Sequence, residues 1–180
     1  MAKCKICKQP YQKRRMTQKV CETVECAQAY AVIDRHMKEL KEIRARKLAI
    51  KPRGQWIKEA QIAFNAYIRE RDKGKPCICC GNALTNEAIG GGFDAGHYRS
   101  IGSAPHLRFD ERNCHGQRKQ CNRYGAGRAV DYRIGLIARI GLAAVESLEA
   151  DQSVKKYTID DAQRIKAEYR AKLKALKGES

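Results

Sequence analysis

The sequence predicts an α+β protein in which helix predominates and β-structure is confined to one short central stretch. Cysteines occur in close pairs near the N-terminus and again near residue 77, a spacing typical of small zinc sites. Apolar residues recur at helical spacing on both sides of the centre, and short strand-like segments lie between them. The pattern divides the chain into an N-terminal zinc knuckle (1–27), two helices (28–76), a zinc-pinned ββα core (77–140) and C-terminal helices (141–180).

The composition is strongly basic, because 37 Lys and Arg residues against 20 Asp and Glu give a net charge of +17. A charge of this size says more about partners than about fold. Nucleic acid is the expected partner, since basic side chains that neutralise phosphates release condensed counterions. No apolar run approaches the roughly 18 residues that a membrane-spanning helix needs, so no membrane association is expected.

The nine cysteines bear on the cellular compartment. The segment that begins Met1-Ala2-Lys3-Cys4 has no apolar stretch typical of a secretory signal, and an odd number of cysteines would leave one thiol outside any disulfide framework. In a reducing compartment, paired cysteines are more often metal ligands than disulfides. We therefore expect a cytoplasmic protein whose cysteine pairs bind structural zinc.

The segment 1–27 contains two cysteine pairs, Cys4-x2-Cys7 and Cys21-x4-Cys26, separated by a short polar loop. Together they match a tetrahedral four-cysteine zinc site. So few apolar residues could not fold this segment alone, and metal binding would supply the folding free energy.

Two helices are predicted between the knuckle and the central module. The first, over 27–50, carries apolar residues at intervals of three and four, namely Tyr30, Ile33, Met37 and Leu40. Its basic side either follows a nucleic-acid backbone or is the solvated side of a two-heptad pairing helix, the seam of a homodimer. Pro52 marks a break, and 55–72 form a second helix with one apolar side toward the core.

The central module opens with Cys77-x2-Cys80, and Gly81 permits the tight turn of a zinc knuckle. The cysteines available downstream to complete this site are Cys114 and Cys121. A glycine run at 90–92 leads into a predicted strand at 93–98, a second strand is expected at 107–109, and a helix is expected from about 115 to 140, loosened near 125–127. Strand, loop, strand and helix pinned by zinc form the ββα-metal arrangement used by HNH nucleases.

One histidine and its polar neighbours have the spacing of a metal-dependent nuclease site. His97, in the first strand, is predicted to be the general base, because imidazole titrates near working pH. Asn113 is predicted to hold the imidazole in orientation through its side-chain amide. His115 and Asn122 are candidate ligands of one catalytic Mg or Mn ion. Asp94 is a third candidate, although strand alternation places it opposite His97 unless a bulge turns the chain.

Basic side chains surround this site and are predicted to grip phosphates: Arg99, Arg108, Arg112, Lys119, Arg123 and Arg128. Contacts of this type carry affinity but little sequence information, which suits recognition of DNA shape. On spacing alone, a nuclease and a non-catalytic zinc module that binds DNA fit about equally well.

The tail, 141–180, is predicted to be helical, with a short helix at 144–150, an N-cap at Thr158 and a helix to about Leu176 that packs against the core or a partner chain.

Several sequence blocks, taken together in this order, carry a resemblance to known proteins: Phe64-Asn65-Ala66-Tyr67-Ile68-Arg69-Glu70-Arg71-Asp72, Asp94-Ala95-Gly96-His97-Tyr98-Arg99, Leu107-Arg108-Phe109, Glu111-Arg112-Asn113 and Gln120-Cys121-Asn122. Over roughly residues 47 to 176 the chain resembles the phage NinG family, also called the Rap recombination endonucleases. The resemblance implies a phage-encoded, structure-specific endonuclease that cuts branched DNA such as Holliday junctions and D-loops during recombination. It also implies a bacterial host cytoplasm and phage or host recombination proteins as partners.

The resemblance includes one departure that concerns zinc. In that family the pair that opens the helix is typically Cys-x2-Cys, ending at the position of Cys121, whereas Arg118 stands at the first place here. Cys114 or Cys79 is a candidate replacement ligand. The hypothesis is therefore a zinc-pinned, HNH-like endonuclease acting on branched DNA. The alternative is a non-catalytic zinc module that binds nucleic acid and recruits recombination partners.

Overall fold

The computed structural model describes residues 1–85, 92–125 and 127–178. It divides the chain into two compact units, Met1–Lys51 and Pro52–Ser180. Two features predicted from sequence lie partly outside the described residues: the glycine run at 90–92, except for Gly92, and Ala126 in the helix break. Within the described ranges, every helix is too short or too polar to cross a membrane.

The N-terminal unit consists of a cysteine knuckle followed by one long helix. Strands β1 (Ala2–Lys3) and β2 (Pro10–Tyr11) pair antiparallel, and α1 (Val24–Ala49) follows. Cys26, in the first turn of α1, is buried, whereas apolar residues farther along, including Ile33, are exposed. A spacing of three drifts around a helix of 3.6 residues per turn, so these residues gather no single buried face. The predicted helix is confirmed, and its pairing with a second copy stays a prediction.

The core of the second unit lies between α2 (Arg53–Arg71) and α5 (Ile159–Leu176). Phe64 of α2 is fully buried and meets Tyr169 of α5 edge-on, with ring centroids 4.8 Å apart. Thr158 begins α5 with a capping box, in which its side chain and a carboxylate three residues later each accept a backbone N–H. The predicted helices and N-cap are confirmed, and the tail packs against the core.

A two-stranded hairpin crosses this core. Strands β3 (Phe93–His97) and β4 (Cys114–Arg118) pair antiparallel over five consecutive residue pairs, from Phe93 opposite Arg118 to His97 opposite Cys114. The second strand predicted at 107–109 is wrong. Leu107 is the last residue of the 3₁₀ helix Pro105–Leu107, and the backbone hydrogen bonds of this segment are local. The strand that pairs with β3 is β4, whose residues have weak intrinsic β-propensity. Packing across the two strands outweighs that weak propensity.

The helix predicted from about His115 to 140 is wrong at its start. Because β4 continues to Arg118, the chain enters helix only at the π-helical turn Gln120–Tyr124. After the predicted break come α3 (Ala129–Ile140) and α4 (Leu142–Ala150), which agree with the helical pattern of the sequence. The order is therefore strand, strand, helix, but the second strand comes from a later segment than expected.

Gly135 allows α3 to approach the cysteine knuckle closely. A Cβ at this position would lie 1.8 Å from the carbonyl oxygen of Ile78. The side chain of Ile78 is buried with Tyr132 and Leu136 of α3. The turn that carries Cys77 is therefore fixed directly onto the helix.

We expect Gly135→Ala to destabilise the second unit, because the added methyl group meets backbone and not a movable side chain. The expected loss is about 1–3 kcal/mol, measured by denaturant unfolding. Gly54→Ala is the matched control, since Gly54 is also helical and a Cβ there meets nothing within 4 Å. Equal stability of the two variants would contradict the close approach of α3 to Ile78.

Candidate functional site

His97 lies at the end of β3 and is partly buried. Its Nε2 is 2.9 Å from the carbonyl oxygen of Arg108, and because a carbonyl only accepts, Nε2 carries the proton. The lone pair is therefore on Nδ1, which lies 3.7 Å from the Sγ of Cys114. Burial lowers the pKa of His97 below its ordinary value, and the nearby charge of Arg108 lowers it further against the effect of the hydrogen bond. The imidazole is thus neutral at neutral pH.

Asn113 is fully buried and fixes the loop that precedes β4. Its amide donates to the carbonyls of Arg99 (3.0 Å) and Leu107 (3.2 Å), and its Oδ1 accepts the backbone N–H of Arg99 at 2.8 Å. The predicted direct contact with the imidazole is therefore replaced by contacts with the loop. Asn113 acts on His97 indirectly, because the same loop presents the Arg108 carbonyl.

His115, predicted as a metal ligand, is buried in a different network. Its Nδ1 accepts from the guanidinium of Arg71 at 3.1 Å, and its Nε2 donates to the carbonyl of Arg112 at 3.1 Å. Burial lowers the pKa of His115, although the carboxylate of Asp72 opposes that effect. Both ring nitrogens are engaged by protein groups, so the structure assigns His115 to the interior and not to a solvent-facing metal.

Asp72, at the end of α2, is the centre of that network and is fully buried. Its carboxylate accepts from Arg71 at 2.9 Å, from Lys75 at 3.0 Å and from the N–H of Gly116 at 2.8 Å. Burial alone would raise the pKa of Asp72, but its contacts with His115, Arg71 and the N–H of Gly116 hold that pKa well below its usual range. The sequence analysis missed this residue. A carboxylate at a helix C-terminus is unfavourable by itself, and this unfavourable placement was the sequence signal that could have indicated a buried charge network at Asp72.

Asp94 and Asn122 are brought together. The Nδ2 of Asn122 donates to Asp94 Oδ2 at 3.1 Å, and Arg123 donates to both carboxylate oxygens at 2.9 and 3.1 Å. Burial raises the pKa of Asp94, while Arg123 and Asn122 lower it by more. The pairing of β3 with β4 runs without a bulge, so Asp94 and His97 project from opposite faces.

The N-terminal cysteines form a complete four-sulfur cluster. The sulfurs of Cys4, Cys7, Cys21 and Cys26 all lie within 4.8 Å of one another, and the Cys7–Cys21 distance is 3.8 Å. Zinc–sulfur bonds of about 2.3 Å in a tetrahedron give sulfur–sulfur edges of roughly 3.8 Å. The donor set therefore fits a structural zinc ion.

The second cysteine cluster contains three sulfurs among the described residues, from Cys77, Cys80 and Cys121, again within 4.8 Å of one another. The prediction that Cys114 joins them is wrong, because Cys114 is buried in the aromatic core beside His97. Burial raises the pKa of the Cys114 thiol, which stays protonated. Cys79, the other candidate replacement, is not one of these three sulfurs, but its thiol interacts with that of Cys77, and its sulfur also accepts from the amide of Gln117 at 2.8 Å.

Most of the predicted phosphate-binding arginines already have partners within the protein. Arg99 donates to backbone carbonyls of the segment 148–151. Three further arginines pair with carboxylates: Arg112 with Asp110, Arg123 with Asp94 and Arg128 with Asp131. Within the described ranges, the guanidinium of Arg108 makes no hydrogen bond or ion pair, and burial lowers its pKa. Lys119, also predicted, is partly buried between β4 and the π-helical turn.

Comparison with known proteins gives a consistent result. A family model described as Bacteriophage Lambda NinG protein matches residues 1–179. The protein ninG of Salmonella phage P22 is 50% identical over 135 residues, which are 75% of this chain and 64% of that relative. The protein ninG of Escherichia phage lambda is 49% identical over 135 residues, with the same coverage, and that of Escherichia phage 933W is 48% identical, with 65% of the relative covered.

The chain therefore spans slightly less than two thirds of the length of these curated relatives. No solved structure matches it. The family match extends over nearly the whole chain and includes both cysteine clusters and the hairpin that carries His97. This chain belongs to the NinG family of bacteriophage proteins.

Proposed function

We propose that this protein is a structure-specific endonuclease that hydrolyses phosphodiesters of branched DNA with the help of Mg or Mn during phage recombination. The observation that carries the proposal is the orientation of His97. Its Nε2 is fixed on the Arg108 carbonyl, which leaves the basic lone pair on Nδ1. A neutral nitrogen and a fixed orientation are two requirements of a general base, and His97 meets both.

The lowered pKa of His97 supports this role, because it keeps the imidazole neutral at working pH. The guanidinium of Arg108 lies close enough to influence that pKa and has no protein partner in the part of the chain that the structure describes. A guanidinium can bind two phosphate oxygens at once. We assign Arg108 to the scissile phosphate next to His97.

The catalytic ion would be held by Asp94 and Asn122. Mg prefers oxygen donors and usually keeps several waters, with one or two carboxylates from the protein. The Asp94 carboxylate and the Asn122 amide oxygen fit that donor set, with Arg123 sharing the carboxylate. Bound there, on the face of the hairpin opposite to that of His97, the ion would stabilise charge on a DNA phosphate. His115 belongs to the buried network of Asp72 in this proposal.

The DNA would be recognised by shape. The net charge of +17 supplies affinity for phosphates without reading bases. The action on Holliday junctions and D-loops, the recombination partners and a homodimer through α1 extend the proposal, and each awaits its own test.

One observation favours a second candidate, a zinc module that binds DNA without cutting it and recruits recombination partners. The unbulged hairpin separates Asp94 from His97, and the Cys114 thiol lies 3.7 Å from the nitrogen that would act as base. This candidate predicts that binding persists while cleavage is absent at every concentration of Mg or Mn.

The deciding experiment is cleavage of a labelled four-way junction and a matching linear duplex, with Mg or Mn. We expect the wild type to cut the junction selectively. His97→Ala should lose roughly 10²- to 10⁴-fold in rate while still binding, because only proton transfer is removed. The exposed His36 in α1 provides the matched control, His36→Ala. Cutting by His97→Ala at the wild-type rate would exclude His97 as the base, and no cutting by folded wild type would favour the second candidate.

The pH dependence of cleavage should report the same histidine. His97 acts as a base only when neutral, so cleavage should fall as pH drops through its pKa. That pKa is lowered by burial, so the acid limb should have its midpoint below about 6.5, the unperturbed value for histidine. The measurement is kcat/KM against pH at saturating Mg. A midpoint above that value would contradict a neutral, buried base.

Zinc content should divide between the two cysteine clusters. We expect about two zinc ions per chain by atomic emission, and about one in Cys26→Ser, because that change removes one of four ligands from the N-terminal site. The same variant should lose helical signal from the start of α1, since metal binding folds this knuckle. Cys114→Ser is the matched control and should retain both ions. Unchanged zinc content in Cys26→Ser would contradict the N-terminal site.

A further inference from the structure

The cluster of Cys77, Cys80 and Cys121 differs from the N-terminal cluster in the number of its sulfurs. Zinc in proteins is almost always four-coordinate, and closed structural sites supply all four ligands from the protein. The N-terminal cluster meets that condition, whereas the described residues supply three sulfurs here. The residues that the structure describes therefore leave one coordination position for another ligand.

Cys79 interacts through its thiol with Cys77 of the cluster, but it and Cys114 both have further contacts outside the cluster. The sulfur of Cys79 accepts a hydrogen bond from Gln117 at 2.8 Å and lies 3.8 Å from the carbonyl of Gly127. Cys114 lies in the aromatic core next to His97. Recruiting either one would require breaking these contacts, and for Cys114 also moving a fully buried side chain.

A pocket of about 570 Å³ opens to solvent beside the cluster. Two of the three cysteines, Cys80 and Cys121, line it, so a metal held by these sulfurs would border the pocket. The remaining lining is polar and includes Arg118 and Arg128. The guanidinium of Arg118 has no hydrogen bond or ion pair within the described ranges, and its backbone N–H donates to Cys77 Sγ at 3.3 Å.

These features together indicate the chemistry of the fourth ligand. The guanidinium of Arg118 has no partner among the described residues and lines the same pocket as two of the metal-binding cysteines, which favours an anion there, and the pocket is large enough to admit one. We infer that the metal bound by Cys77, Cys80 and Cys121 keeps an exchangeable fourth position, and that Arg118 helps an oxyanion of the phosphate class to occupy it.

The inference does not depend on nuclease activity. A phosphate group could come from inorganic phosphate or from a DNA backbone, and both offer the same oxygen donor. Arg118 also stands three residues before Cys121, the spacing of a Cys-x2-Cys pair, so Arg118→Cys provides the ligand that would close the site.

The test is visible absorption spectroscopy of the full chain loaded with cobalt, a spectroscopic substitute for zinc. Titration with inorganic phosphate should shift the cobalt bands of the three-sulfur site and leave those of the four-sulfur site unchanged, which provides an internal reference. A short single-stranded oligonucleotide forms the second arm. A shift with the oligonucleotide at lower phosphate concentration than with the free ion would identify DNA as the preferred source.

Substitutions at Arg118 distinguish an oxyanion from a sulfur as the fourth ligand of the metal. Arg118→Cys should abolish the phosphate response and raise the thiolate-to-cobalt charge-transfer intensity, because a fourth sulfur fills the open position. Arg118→Ala should need a higher phosphate concentration for the same shift, whereas Arg69→Ala, an exposed arginine of α2, should respond like wild type. Arg118→Ala keeps the test decisive if the cysteine variant fails to fold.

Two outcomes would overturn the inference. A loss of charge-transfer intensity in Cys79→Ser, with no response to phosphate in the wild type, would make Cys79 the fourth ligand. No phosphate response in the wild type and an unchanged spectrum in Arg118→Cys would mean that a protein oxygen or nitrogen already closes the site.

Discussion

The buried carboxylate of Asp72 joins three parts of the second unit. It ends α2, receives the N–H of Gly116 from β4 at 2.8 Å, and lies 3.6 Å from the guanidinium of Arg139 on α3. The helix dipole and burial both oppose a charge at this place. The surrounding cations and N–H donors outweigh that opposition, since they hold the pKa of Asp72 well below its usual range. Losing one partner would leave a buried charge uncompensated, which costs far more than breaking an exposed ion pair.

This interaction also determines where the candidate base lies. Arg71 pairs with Asp72 and donates to the carbonyl of Cys114 at 2.8 Å, which fixes the first residue of β4 opposite His97. Asn113, the preceding residue, holds the loop whose carbonyl orients the imidazole. The orientation of His97 therefore depends on residues in the interior of the second unit. Arg139 extends the same centre to the knuckle, because it donates to the carbonyl of Pro76 at 2.9 Å.

The features predicted correctly are those that depend on local chemistry. The helices α1, α2 and α5 follow from the spacing of apolar residues, and the N-cap at Thr158 follows from residue type and position. Both cysteine clusters contain the close pairs that the sequence shows. The second strand was misplaced because 107–109 looks more strand-like than Cys114–Arg118, whose pairing is stabilised by contacts across the hairpin. His115 was misassigned for a related reason, since its partners are far away in sequence.

The sequence by itself determined the basic character of this protein, its paired cysteine ligands, its main helices and the presence of a histidine in a short strand. Each of these depends on residue types within a few positions of one another. Only the tertiary structure decided that Asp94 meets Asn122, that His115 meets Arg71 across 44 residues, and that Cys114 joins the aromatic core in place of the zinc cluster. The physical reason is that ligand sets and buried charges are selected by which segments pack together, and burial and pairing energies depend on neighbours that are distant along the chain.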